Sequence, residues 1–179
     1  MQSSRSPVLA EQSRALPEEG ATQALGAALA QALRALQAAG APPVFITLEG
    51  DLGAGKTTLA RALLRALGVM GTVRSPTYTL VESYDTTLGE VHHLDWYRLA
   101  TAADVEALGF RELRLAPLVL VEWPEQVPAV AAMADLKIGL LTVGEGRLAT
   151  LTALSPIGRQ LALILQDESQ EASSTPSFS

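Results

Sequence analysis

One stretch constrains this chain more than any other. Residues 50–57 read GDLGAGKT and match G-x-x-x-x-G-K-[ST] in full. The flanks agree with the motif. VFITLE at 44–49 is a short apolar, β-prone run that reads as a buried strand. Residues 57–67 read as a helix, closed by Gly68. Strand, glycine-rich loop and helix together open an α/β fold. Each part of the loop has a task. The glycines let successive backbone N–H groups turn toward phosphate oxygens. The helix N-terminus adds partial positive charge. Lys56 suits the β- and γ-phosphates, and the Thr57 hydroxyl suits Mg²⁺. The motif specifies a nucleoside triphosphate site and leaves the use of the energy open.

A Mg²⁺ held by Thr57 needs further oxygen ligands, commonly a carboxylate and waters. In an open α/β sheet such groups gather at the carboxyl ends of strands. Two acids fit. Glu122 follows the apolar run LVLV at 118–121, and Asp95 follows VHHL at 91–94. Either can bind the metal, and the other can orient the attacking water.

Composition closes off other chemistries. There is no Cys, so a disulfide scaffold, a thiolate zinc site and a cysteine nucleophile are excluded. The two His are adjacent, at His92 and His93, which disfavours a histidine-rich metal site. His93 reads as a strand residue satisfied by a hydrogen bond rather than as a ligand. No Asn is present, so the Asn-Lys-x-Asp guanine-reading element is missing and a regulatory GTPase is disfavoured. The net charge of −6 argues against a protein that grips nucleic acid by its phosphates. No run approaches the ~20 apolar residues of a membrane helix, and a soluble cytoplasmic protein is expected.

The length of 179 residues suits one domain. Residues 1–18 read as a flexible arm, 19–165 as the P-loop domain and 166–179 as a disordered, Ser-rich tail. A first helix is expected from Thr22, as its cap, to about residue 39. Strands are expected at 77–84 and 90–94, forming a hairpin over 85–89, with a short helix at 102–108. A strand at 117–121 follows. A second hairpin at 135–154 turns on GEG at 144–146, and a last helix spans 157–165. The expected fold is a single α/β P-loop domain. Its central sheet is mixed and mostly parallel, flanked by helices, with a C-terminal hairpin.

Four blocks now carry a family likeness: EGDLGAGKTT at 49–58, SPTYTLV at 75–81, HLDWYR at 93–98 and VEWPE at 121–125. With TQALG at 22–26 ahead of them, their order and spacing resemble the TsaE (formerly YjeE) family over about residues 20–165. The resemblance implies a small P-loop domain that binds and hydrolyses ATP. That activity would serve TsaD and TsaB, which transfer threonylcarbamoyl to a tRNA adenosine next to the anticodon. It implies phosphate binding by Gly53, Ala54, Gly55, Lys56, Thr57 and Thr58. Thr57 and Glu122 would bear Mg²⁺, and Asp95 would place metal or water. Lys56, Asp95 and Glu122 form the implied catalytic set. Thr22 would line the nucleotide pocket, and the hairpin at Gly146-Arg147 would approach the base or sugar. Ser75, Pro76 and Thr77 resemble a switch segment that senses the γ-phosphate.

Other residues read more plainly. Trp123 is expected to fix Glu122 from a core or lid position. Tyr97 and Arg98 support the Asp95 loop or face a partner. Arg111 and Arg114, at i, i+3 spacing, read as a solvated face rather than a phosphate clamp. Two alternatives to the ATPase subunit stay open: a small P-loop kinase acting on a small molecule, and a nucleotide-controlled binding module without turnover.

Overall fold

The computed structural model describes residues 7–174. Its core is a seven-stranded sheet made of β1 (Ala10–Leu16), β2 (Val44–Glu49), β3 (Val81–Thr86), β4 (Gly89–Asp95), β5 (Leu118–Glu122), β6 (Leu136–Val143) and β7 (Gly146–Ala153). The order across the sheet is β1-β7-β6-β2-β5-β4-β3. Strands β1, β2, β4, β5 and β6 run one way, and β3 and β7 run against them. The sheet is therefore mixed and mostly parallel, as expected.

Helices cover both faces. On one lie α1 (Glu19–Ala38), α2 (Lys56–Ala66) and α6 (Pro156–Ser174); on the other lie α3 (Ala102–Ala107), α4 (Phe110–Leu113) and α5 (Pro128–Ala131). β2 shows why. Val44, Ile46 and Leu48 join one core with Leu29 and Leu63, while Phe45 joins a second core with Trp96 and Phe110. A strand buried on both faces reads as a near-continuous apolar run rather than an alternating one, and within 44–48 only the buried Thr47 breaks it. In the second core the Phe45, Trp96 and Phe110 rings meet at centroid distances of 5.3 to 6.3 Å. Among the described residues no helix is long and apolar enough to cross a membrane.

The structure corrects both ends. Residues 10–16, expected in a flexible arm, form edge strand β1, paired with β7 from Ala10↔Ala153 to Leu16↔Arg147. The strand is polar in sequence because its partners satisfy it. Gln12 donates to the Ala162 carbonyl at 3.0 Å, Arg14 to that of Leu165 at 2.9 Å, and Leu16 is buried. Residues 166–174, expected to be disordered, continue α6. Gln, Glu and Ala are good helix formers, so a polar composition does not bar a helix. Residues 1–6 and 175–179 lie outside the described part.

Smaller differences are local. Helix α1 starts at Glu19, so Thr22 lies inside it rather than capping it. The strand expected from residue 77 begins at Val81. Before it the chain turns, with Leu80 at φ 65° and its N–H on the Pro76 carbonyl at 2.7 Å. The helix at Ala102 opens with a capping box between Thr101 and Asp104.

Candidate active site

β2 delivers the chain to the phosphate loop at the carboxyl edge of the sheet. Gly55 takes φ 104° as the residue before α2, a conformation that other side chains resist. The first N–H groups of α2 have no partner within the helix and carry its positive end. Lys56 is almost fully buried. Its ammonium donates to the carbonyls of Gly50 at 2.5 Å and Asp51 at 3.0 Å, and lies 3.6 Å from the Trp123 ring centroid. Burial pushes the Lys56 pKa down, against the opposing pull of Glu122, Glu125, Asp95 and Asp51.

The two carboxylates meet because β4 and β5 are parallel neighbours. Asp95 and Glu122 are paired in register at the same end of the sheet, both buried. Thr57 Oγ1 donates to Glu122 Oε2 at 2.9 Å, which closes the phosphate loop onto β5. Glu122 Oε1 lies 2.8 Å from His93 Nε2. Asp95 Oδ1 accepts from the Tyr97 N–H at 2.8 Å, and Oδ2 from Thr77 Oγ1 at 3.0 Å. Ser75 Oγ is 2.8 Å from Thr77 Oγ1. The segment before β3 is thereby tied to an acid of the site.

A cleft of about 260 Å³ runs between these groups. Of the residues expected in the site, Gly53, Gly55, Lys56, Thr57, Thr58, Asp95 and Glu122 line it. Leu52, Ser75, Thr77, Trp123 and Arg147 complete the wall. The chemistry of the donors fits Mg²⁺: a hydroxyl and two carboxylates are hard oxygen ligands. Among the described residues no cluster of three His, Cys, Asp or Glu could hold a metal. A Mg²⁺ bound through one or two carboxylates and substrate phosphates needs no such cluster.

Other expected residues are placed differently. Ala54 is buried and contributes backbone to the loop. Thr22 is buried in α1 and does not line the cleft; its Oγ1 has no partner among the described residues. Its neighbours Glu19 and Gln23 line a separate groove with Arg61 and Arg65, which meets the site at Thr58. Gly146 also stays out of the cleft. A Cβ there would come within 2.8 Å of the Leu16 carbonyl, so this glycine admits the end of β1. The cleft residue of that hairpin is Arg147. It donates to the Ala54 carbonyl at 2.8 Å and lies against Gly55. Its only sequence signal is a basic residue just past a tight hairpin.

Trp123 sits at φ 58°, with its ring against Lys56 on one side and Tyr97 at 5.0 Å. Arg98 lies over the exposed Tyr78 ring at 5.3 Å. Arg111 pairs with Glu106 at 3.0 Å in solvent, and Arg114 lies over Phe45 at 5.4 Å. Neither arginine lines the cleft.

Comparison with known proteins gives this geometry a family. The family model described as "Threonylcarbamoyl adenosine biosynthesis protein TsaE" matches residues 16–148. A Haemophilus influenzae protein named tRNA threonylcarbamoyladenosine biosynthesis protein TsaE is 35% identical over 147 residues, covering 82% of this chain and 92% of its own. A Bacillus subtilis protein of the same name is 33% identical, covering 78% and 87%. The crystal structure of Bacillus subtilis YdiB superposes with a TM-score of 0.68 at 25% identity, covering 89% of this chain and 97% of that one. The family match runs from the end of β1 into β7 and so takes in every element that builds the cleft; this chain belongs to the TsaE family.

Proposed function

We propose that this chain binds and hydrolyses ATP with Mg²⁺ in support of threonylcarbamoyl transfer to the tRNA adenosine next to the anticodon. The transfer itself is the work of TsaD and TsaB in the cytoplasm. The observation that carries this reading is the 2.9 Å contact from Thr57 to Glu122, which joins the phosphate loop to a strand-end acid. The relatives' names fit tRNA modification and not a small-molecule kinase.

In this reading Lys56 and the backbone of residues 53–58 hold the phosphates. Thr57, Glu122 and Asp95 present oxygens to Mg²⁺, which when bound neutralises phosphate charge. Whichever carboxylate is not engaged with the metal orients the attacking water. Arg147 holds the loop carbonyl at Ala54 and presents its guanidinium along the cleft. Thr77 and Ser75 respond through Asp95, so a change at the phosphates reaches the surface beside Tyr78. The acid balance of the chain supports action through protein contact, with tRNA handled by the partners.

The test is phosphate release from the purified chain with MgATP, alone and with TsaD–TsaB. Stimulation by the partners is expected. Equal rates with and without them would reject the partner role. A stoichiometric phosphorylated metabolite in place of free phosphate would return the kinase reading.

A further inference from the structure

His93 carries a role that its place in the sheet alone does not require. It is fully buried, with Nε2 on Glu122 Oε1 at 2.8 Å. Its Nδ1 has no hydrogen-bond partner among the described residues. As pure core filling this is a poor choice, because an apolar side chain would leave no buried polar atom unmatched. The neighbouring His92 has no such contact with the site; its Nδ1 bonds to Ser83 Oγ at 2.9 Å.

The strand geometry explains the aim of His93. Side chains alternate along β4, so His93 and Asp95 share a face while Leu94 points into the opposite core. Glu122 pairs with Asp95 across the parallel neighbours and meets His93 from β5. A carboxylate offers only acceptors, so the imidazole must donate from Nε2. With Oε1 held there, Oε2 is the oxygen that faces Thr57 and the cleft. Three elements thus converge on one carboxylate: α2 through Thr57, β4 through His93, and β5 itself.

We propose that His93 is a positioning residue for Glu122: its Nε2–H fixes one carboxylate oxygen so that the other stands beside Thr57, where it would serve as a ligand for Mg²⁺. This rests on Glu122 belonging to the nucleotide site. A merely structural histidine would have no preference for Glu122 and no effect on metal-dependent binding.

Two measurements on the full chain test it. Imidazole ¹⁵N NMR should show His93 as the Nε2–H tautomer, with that signal shifted in Glu122→Gln. Calorimetry should show that His93→Leu cuts the Mg²⁺-dependent gain in ATP affinity about 10-fold or more, with Mg²⁺-free affinity kept. His93→Gln, whose amide N–H can reach the same oxygen, should recover most of the gain. An Nδ1–H tautomer, an unchanged gain in His93→Leu, or a Gln variant no better than Leu would overturn the proposal. If His93→Leu does not fold, the Gln variant and the spectrum decide. If the wild type shows no Mg²⁺-dependent gain at all, the metal assignment of the site fails instead, and the tautomer still decides whether His93 holds Glu122.

Discussion

Thr57 and Glu122 stand 65 residues apart in sequence and 2.9 Å apart in space. One follows the phosphate loop on the first turn of α2; the other ends the neighbouring strand β5. Their hydroxyl-to-carboxylate bond sets two hard oxygens side by side, the pair that the proposed function assigns to Mg²⁺.

Removing either cation-side or metal-side support from the phosphates should weaken MgATP. Lys56→Ala and Thr57→Ala should each lose about 10-fold or more in affinity by calorimetry, or at least 1.4 kcal/mol. The Thr57 variant should lose its response to Mg²⁺ while keeping metal-free affinity. Unchanged Mg²⁺-dependent binding in both variants would sink the phosphate-loop assignment.

Glu122→Gln keeps the size of the side chain and removes its charge. Turnover should fall about 100-fold, and the Mg²⁺-dependent gain in ATP affinity should fall about 10-fold or more while metal-free affinity holds, as for a metal ligand that also acts in the transition state. A loss of turnover with the Mg²⁺-dependent gain unchanged would remove Glu122 from the metal and leave it a role in the transition state alone.

Arg147 touches the phosphate loop through the Ala54 carbonyl. Arg147→Met keeps the stem and removes the donors. ATP affinity should drop about 5- to 10-fold, the range of one charge-assisted hydrogen bond, and the melting temperature should hardly move. A large melting shift with full affinity would assign Arg147 to the fold alone.

Leu16 is the buried end of β1. Leu16→Ala should cost about 2–5 kcal/mol in urea unfolding, as for other buried leucines. A change below about 0.5 kcal/mol, typical of surface positions, would mean that β1 is not anchored to the sheet.

Burial holds the His92 imidazole below its usual pKa of 6.5, with Glu90 pulling the other way. As pH falls below 6.5 the unfolded chain takes up this proton first. Stability from His92 is therefore present above 6.5 and declines as pH falls toward the lower folded value. His92→Gln should flatten that part of the profile in urea titrations between pH 8 and 5. An unaltered slope would show that other groups carry it.

The sequence on its own determined the local chemistry. A loop that must turn its N–H groups inward needs glycines at set positions, so residues 50–57 announce themselves wherever they stand. Strand β2 was equally plain, because burial on both faces makes 44–48 a near-continuous apolar run with Thr47 as its one polar residue. Glu122 and Asp95 could be read as strand-end acids for the same local reason.

Tertiary structure decided everything that depends on a partner strand or helix. The polar run at 10–16 is a strand only because β7 and α6 satisfy its backbone and side chains. Arg147 entered the cleft, and Gly146 did not, because the hairpin register sets which residue faces the loop and which admits β1. Asp95, Glu122, Thr57 and His93 converge only through the parallel pairing of β4 with β5 and the docking of α2. Such pairings are long-range, and neither propensity nor periodicity in the chain encodes which strand lies beside which.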